Sequence, residues 1–250
     1  MLHALIRGKL DSGLCKEDTL TATVFERIFY LPHAAIAKIL FGRRLWPDSA
    51  SPPDLRVRNV WFWPRWDPSQ ENVGETEQEG EPPASSKERT AIPDLVIEFD
   101  DRILVVEAKR WDLFAQQNEW QLAGYWQRAR ALHPNRPAWL LAVGGLPDHS
   151  RASSNALKQR VIRELGGADP DEEVRISAVG WRDLLRAIED VISGGTAPEA
   201  RILADIREGM RVHGLQVEKP LPLSDLGAIR AALGPILSRP DSLWPLRRAS

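Results

Sequence analysis

Apolar residues recur at helical spacing over 15–31, where Leu20, Val24, Ile28 and Leu31 share one face with Phe25 beside them. Glu17 heads that stripe, one turn before Leu20. Pro32 ends or kinks this helix because it has no amide hydrogen to continue the ladder, and 34–40 resumes it. The period then drops to two over 55–63, where Leu55, Val57, Asn59, Trp61 and Trp63 alternate with Arg56, Arg58, Val60 and Phe62, as in a strand. Two apolar runs follow, 93–99 and 102–109, joined at Asp100-Asp101, and they read as a hairpin. Helical spacing returns over 112–132, with Gln117, Gln121 and Tyr125 on one face. The stretch 137–143 is an unbroken apolar run of the kind buried on both faces, and Gly144-Gly145 ends it. A basic amphipathic helix is expected over 150–165, with Arg151, Lys158, Arg160 and Arg163. A strand at 174–179 and helices at 181–192 and 197–213 follow, and the tail 215–250 holds five prolines and a helical stretch at 224–237.

This order predicts an α/β fold, a mixed central β-sheet flanked by helices on both faces. The expected organisation is one domain over 1–192 and a helical C-terminal extension over 193–250, with an insertion at 64–91. That insertion is rich in Pro, Glu, Gln, Ser and Gly and reads as a solvated, disordered surface loop.

Composition changes this picture little. Hydrophobic residues at 43% and charged residues at 27% are those of an ordinary globular protein. No apolar run approaches the roughly 20 residues that span a bilayer. The first residues lack the apolar core and cleavage site of a secretory signal, so no membrane partner and a cytoplasmic setting are expected. Cys15 is the only cysteine, which excludes an intrachain disulfide and cysteine-built metal clusters. The five histidines show no zinc-ligand spacing. Net charge is −2, but 67–90 holds seven acids against two bases, so the rest of the chain carries +3. Of the 33 basic residues 26 are arginine, whose planar fork suits phosphate, although a GC-rich genome gives the same excess. Most of the ten tryptophans are expected in the core, with Trp66 and Trp111 the exposed ones.

The chemistry lies in the hairpin. With the turn at Asp100-Asp101, Phe99 faces Arg102 and the same register sets Asp94 directly opposite Glu107. Cβ atoms of such a pair are about 5 Å apart, and like charges there are destabilising. Lys109 is two residues beyond Glu107 and shares its face. A divalent cation between the carboxylates would remove the repulsion, and oxygen ligands suit Mg²⁺ or Mn²⁺.

Pro93-Asp94 on one strand and Glu107-Ala108-Lys109 on the next resemble the PD-(D/E)XK nuclease superfamily, with its restriction-endonuclease-like core. The order of elements over about 15–182 is similar to that core. Gln121-Leu122-Ala123-Gly124-Tyr125 resembles the Q-x-x-x-Y motif of the exonuclease-type branch, which also lies on the helix after the Glu-x-Lys strand. The resemblance implies a metal-dependent nuclease acting on DNA, in restriction, phage defence, mobile elements or repair. It implies Asp94, Glu107 and the Ala108 carbonyl as metal ligands. Lys109 would orient the attacking water or stabilise charge on the phosphate, and beside a metal its pKa would fall. Gln121 and Tyr125 would touch the nucleic-acid backbone. Families of this kind often add a glutamate from the first helix; Glu17 is the candidate on the apolar stripe and Glu26 its competitor. The alternative is a binding or assembly module on the same fold, inactive alone and engaging a protein partner through 193–250.

Overall fold

The structure is a computed structural model that describes residues 17–47, 55–66, 92–111, 115–148, 150–166 and 174–215. Most of the acidic insertion, the helix expected at 224–237 and Cys15 lie outside these residues. All the described residues belong to one compact unit.

The first apolar stripe forms α1 (Glu17–Ile28), burying Leu20, Val24, Phe25 and Ile28. Pro32 breaks it and caps the next helix, α2 (His33–Phe41), its carbonyl accepting from the amides of Ala35 at 2.8 Å and Ile36 at 3.0 Å. The alternating segment is β1 (Val57–Phe62), and the hairpin is β2 (Leu95–Phe99) with β3 (Ile103–Ala108). Its register is the one the turn dictates: Leu95 pairs with Val106, Val96 with Val105, Ile97 with Leu104 and Glu98 with Ile103. The Phe99 amide donates to the Arg102 carbonyl at 2.9 Å and closes the turn.

A helix and a parallel strand then alternate twice: α3 (Glu119–Leu132), β4 (Ala138–Val143), α4 (Arg151–Glu164) and β5 (Arg175–Val179). The sheet has the order β1-β2-β3-β4-β5, antiparallel in its first two pairings and parallel in its last two. Parallel neighbours need a crossover, and α3 and α4 supply it. Helices α5 (Trp181–Ile192) and α6 (Ala197–Val212) complete the described chain. The architecture is α/β, a five-stranded mixed sheet flanked by helices.

One face of the sheet packs Val96, Ile103, Val105 and Leu140 against Leu122 and Trp126 of α3 and Leu157 and Val161 of α4. On the other face Phe41 of α2 meets Phe99 and Trp139 edge-on, with ring centroids 5.0 Å and 5.1 Å apart. Each fully buried aliphatic or aromatic side chain contributes about 1.5–3 kcal/mol relative to exposure, and β3 and β4 are buried along their whole length. Helix α6 packs on α1 and α5, with Arg27 paired to Asp205 at 3.2 Å.

Two expectations change. Helix α3 begins at Glu119, because the Asn118 side chain caps it by accepting from the Trp120 amide at 3.2 Å. Gln117 therefore lies ahead of the helix and does not share a helical face with Gln121 and Tyr125. Trp66 is buried against Tyr125, with ring centroids 6.3 Å apart, whereas Trp61, Trp63 and Trp120 join Trp111 among the exposed aromatics.

Candidate active site

Asp94 stands one residue before β2 and Glu107 one residue before the end of β3, so the hairpin register carries both to the same edge of the sheet. Both are buried, at 7% and 3% exposure. The ladder stops at Leu95 because the Asp94 side chain takes over, its Oδ2 accepting from the Ala108 amide at 2.7 Å. The Asp94 carbonyl accepts from the Trp63 amide at 3.0 Å, so β1 fixes the same residue from the other side. Amide and carbonyl of one strand residue point to the same neighbour. The Ala108 carbonyl is thereby directed to the side on which Asp94 lies.

Lys109 leaves the end of β3 and bridges two carboxylates. Its Nζ lies 2.5 Å from Glu107 Oε1 and 3.2 Å from Glu17 Oε1. Glu17 also accepts from the Arg110 amide at 3.1 Å through Oε2. The first turn of α1 thus meets the end of β3, and Asp94, Glu107, Lys109 and Glu17 come together. Glu26 is exposed on the far side of its helix and is not among them.

Burial dominates the electrostatics. It raises Asp94 from 3.8 to about 6, against the opposing pull of the Ala108 amide and Lys109. It raises Glu107 from 4.5 to about 7, and the neighbouring Asp94 charge adds to the effect. For Lys109, burial works to lower the pKa, but Glu107 and Glu17 outweigh it and hold the ammonium above its ordinary value. That direction is opposite to the one expected beside a metal, because carboxylates are its neighbours here. Two buried carboxyls that resist ionisation together are the chemistry that a divalent cation relieves. Among the described residues no group of three or more His, Cys, Asp and Glu side chains forms a metal cage. Two carboxylates, Asp94 and Glu107, and the Ala108 carbonyl are the oxygens that could hold a cation here. That set fits Mg²⁺, which keeps several waters and takes one or two carboxylates plus substrate phosphate.

Three supports escaped the sequence reading. Gly144 and Gly145 follow β4 with φ of 69° and 65°. A Cβ on Gly144 would overlap the Lys109 carbonyl oxygen, and one on Gly145 would lie 2.8 Å from Lys109 Cβ. The Trp181 indole N–H donates to the Lys109 carbonyl at 2.7 Å, although the residue reads from the sequence only as core. Gln117 Nε2 donates to the Gly144 carbonyl at 3.1 Å and, more weakly, to the carbonyls of Glu107 and Val143 at 3.4 Å. Paired glycines after the strand beside a Glu-x-Lys strand are the one signal that pointed to this packing.

Tyr125 is 3% exposed, so it does not present itself to a nucleic-acid strand as expected. Its hydroxyl donates to the Ile92 carbonyl at 2.9 Å and accepts from Gln121 Nε2 at 2.6 Å. It anchors the residue two before Asp94. Burial and the Glu107 charge push its pKa far above the ordinary range. Gln121 is half-buried and is the member of the motif that retains access to solvent.

An uncharacterised protein of Pasteurella multocida, PM0110, is 28% identical to this chain over 266 aligned positions, spanning 98% of this chain and 93% of that protein. No protein-family model and no solved structure matches the chain. Among the described residues no helix is long and apolar enough to cross a membrane.

Proposed function

We propose that the protein is a divalent-metal-dependent nuclease that hydrolyses phosphodiester bonds in DNA. The observation that carries this reading is the pair of buried carboxylates, Asp94 and Glu107, with the Lys109 ammonium 2.5 Å from Glu107. Asp94, Glu107 and the Ala108 carbonyl would hold Mg²⁺ or Mn²⁺, which supplies Lewis acidity and an acidified water. Lys109 places a fixed positive charge where negative charge develops on the phosphate. Glu17 holds that ammonium from the opposite side and limits where it can point. The Trp181 and Gln117 side chains fix the backbone that carries it.

The test is cleavage of linear, circular and single-stranded DNA with Mg²⁺ or Mn²⁺, comparing the wild type with Asp94→Asn. Asparagine keeps an oxygen for the Ala108 amide, so the variant is expected to stay folded. Cleavage that needs the metal and falls at least a hundredfold in the variant is the expected result, on the scale of about 2.7 kcal/mol of lost barrier reduction. Equal cleavage by both proteins would overturn the assignment.

A further inference from the structure

The groove at the outer edge of β5 has no part in the reading above. Its volume is about 520 Å³. Arg43 and Arg44 line it from the segment after α2, Arg151 and Lys158 from α4, and Arg175 from β5. Asp183 is the one carboxylate among the described lining residues. Its walls are tied to the strand: the Ser154 hydroxyl donates to the Ala178 carbonyl, and the Ser177 hydroxyl to that of Leu45. Two of the arginines are held in place, Arg44 by Asp190 at 2.7 Å and Arg175 over the Trp139 ring at 5.4 Å. Arg151 is exposed, Lys158 is half-buried, and the first turn of α4 carries no acid to offset them.

The sheet register relates this groove to the carboxylates. Glu107 pairs with Ala142, and Ala142 pairs with Ala178, so one row crosses the sheet from the site to the groove wall. In strand alternation Glu107 falls with Ile103 and Val105, and Ala178 with Ile176, on the α3 and α4 face, whereas Arg175 and Ser177 alternate to the α2 face, so the groove wraps the outer edge of β5. Two strand spacings separate Glu107 from Ala178, about 10 Å. One strand of a duplex rises about 3.4 Å per nucleotide, so that distance corresponds to about three nucleotides. The cations are spread over three elements rather than converging on one point, which suits a chain of phosphates more than a single phosphate. Arginine forks match phosphate oxygens bidentately.

We propose that this groove binds the phosphodiester backbone of the nucleic acid about three nucleotides or more from the phosphate held at the carboxylates. The proposal rests on the nuclease reading for its geometry, but its test does not use cleavage. Anisotropy of a labelled oligonucleotide, single-stranded or duplex, is measured against salt with EDTA present, for the wild type and for the double substitution Arg151→Ala with Lys158→Ala. Losing two phosphate contacts is expected to weaken binding about tenfold and to reduce the slope of log affinity against log salt by about 2. The charge-conserving pair Arg151→Lys with Lys158→Arg is expected to keep the wild-type slope.

A double alanine variant with wild-type affinity and slope would overturn the groove assignment and leave the nuclease reading intact. A wild type that binds with the full slope and never cuts would do the reverse. Inorganic phosphate is the second probe, followed by tryptophan fluorescence because Trp46 lines the groove. A saturable response to phosphate, with no oligonucleotide binding, would overturn the strand proposal in favour of a small-anion site.

Discussion

Replacing Glu107 by Gln removes a buried charge together with its ion pair to Lys109, both of which act on the carboxyl's net shift, so it tests the electrostatics of the site separately from its catalysis. The carboxyl has an ordinary value of 4.5 and sits at about 7 in the folded protein. Folding therefore tightens the hold on the proton. The stability linked to this group is fully present below its unfolded value and is lost as pH rises through about 7. At about 1.4 kcal/mol per decade, the ionised group costs the folded state about 3 kcal/mol. The glutamine variant has no such cost. It should match the wild type near pH 4.5 and exceed it by about 3 kcal/mol at pH 8. In a chain of this size that is a rise in Tm of about 10 °C. Urea unfolding at both pH values, with EDTA, measures the difference. Adding Mg²⁺ at the higher pH should stabilise the wild type and not the variant, because a ligand that binds only the folded state adds to its stability. A glutamine variant no more stable than the wild type at pH 8 would show that the Glu107 carboxylate is not strained by burial. A wild type indifferent to Mg²⁺ would show that the two carboxylates hold no such cation.

Two further outcomes are expected. Gly144→Ala forces a side chain into a left-handed backbone, at a cost of about 1–2 kcal/mol, and drives its Cβ into the Lys109 carbonyl oxygen; thermal melting should fall and cleavage should fall further than stability alone explains. Glu17→Gln should lower cleavage about tenfold at unchanged Tm by freeing the Lys109 ammonium, about 1.4 kcal/mol in barrier, while Glu26→Gln, on an exposed position, should leave both unchanged.

How far the sequence reached can be judged residue by residue. The hairpin register was legible because two apolar runs flank a polar turn, and a period of two leaves one pairing that buries both runs. Glu17 continues the apolar stripe of α1 and Glu26 does not, and it is Glu17 that lies beside Lys109. Gln117 was misplaced because a helical spacing of polar residues does not mark where the helix starts. That start was set by Asn118, whose side chain competes for the amide of the first turn. Trp66 and Tyr125 are both buried and pack against each other across nearly 60 residues of chain, a contact that no local spacing marks. The role of Trp181 depends on where the backbone of Lys109 passes, which no local pattern encodes, whereas the paired glycines after β4 mark a close approach without naming its partner.

The anchoring of Asp94 has a consequence for how this protein tolerates change. The Ile92 carbonyl is held by Tyr125, the Asp94 carbonyl by Trp63 and the Asp94 carboxylate by Ala108. Trp63 precedes residues 67–91 in the chain and Tyr125 and Ala108 follow them, so described elements from both sides of that stretch grip the backbone and carboxylate of Asp94. None of the three ties uses a residue between 67 and 91, so a substitution in that stretch removes none of them.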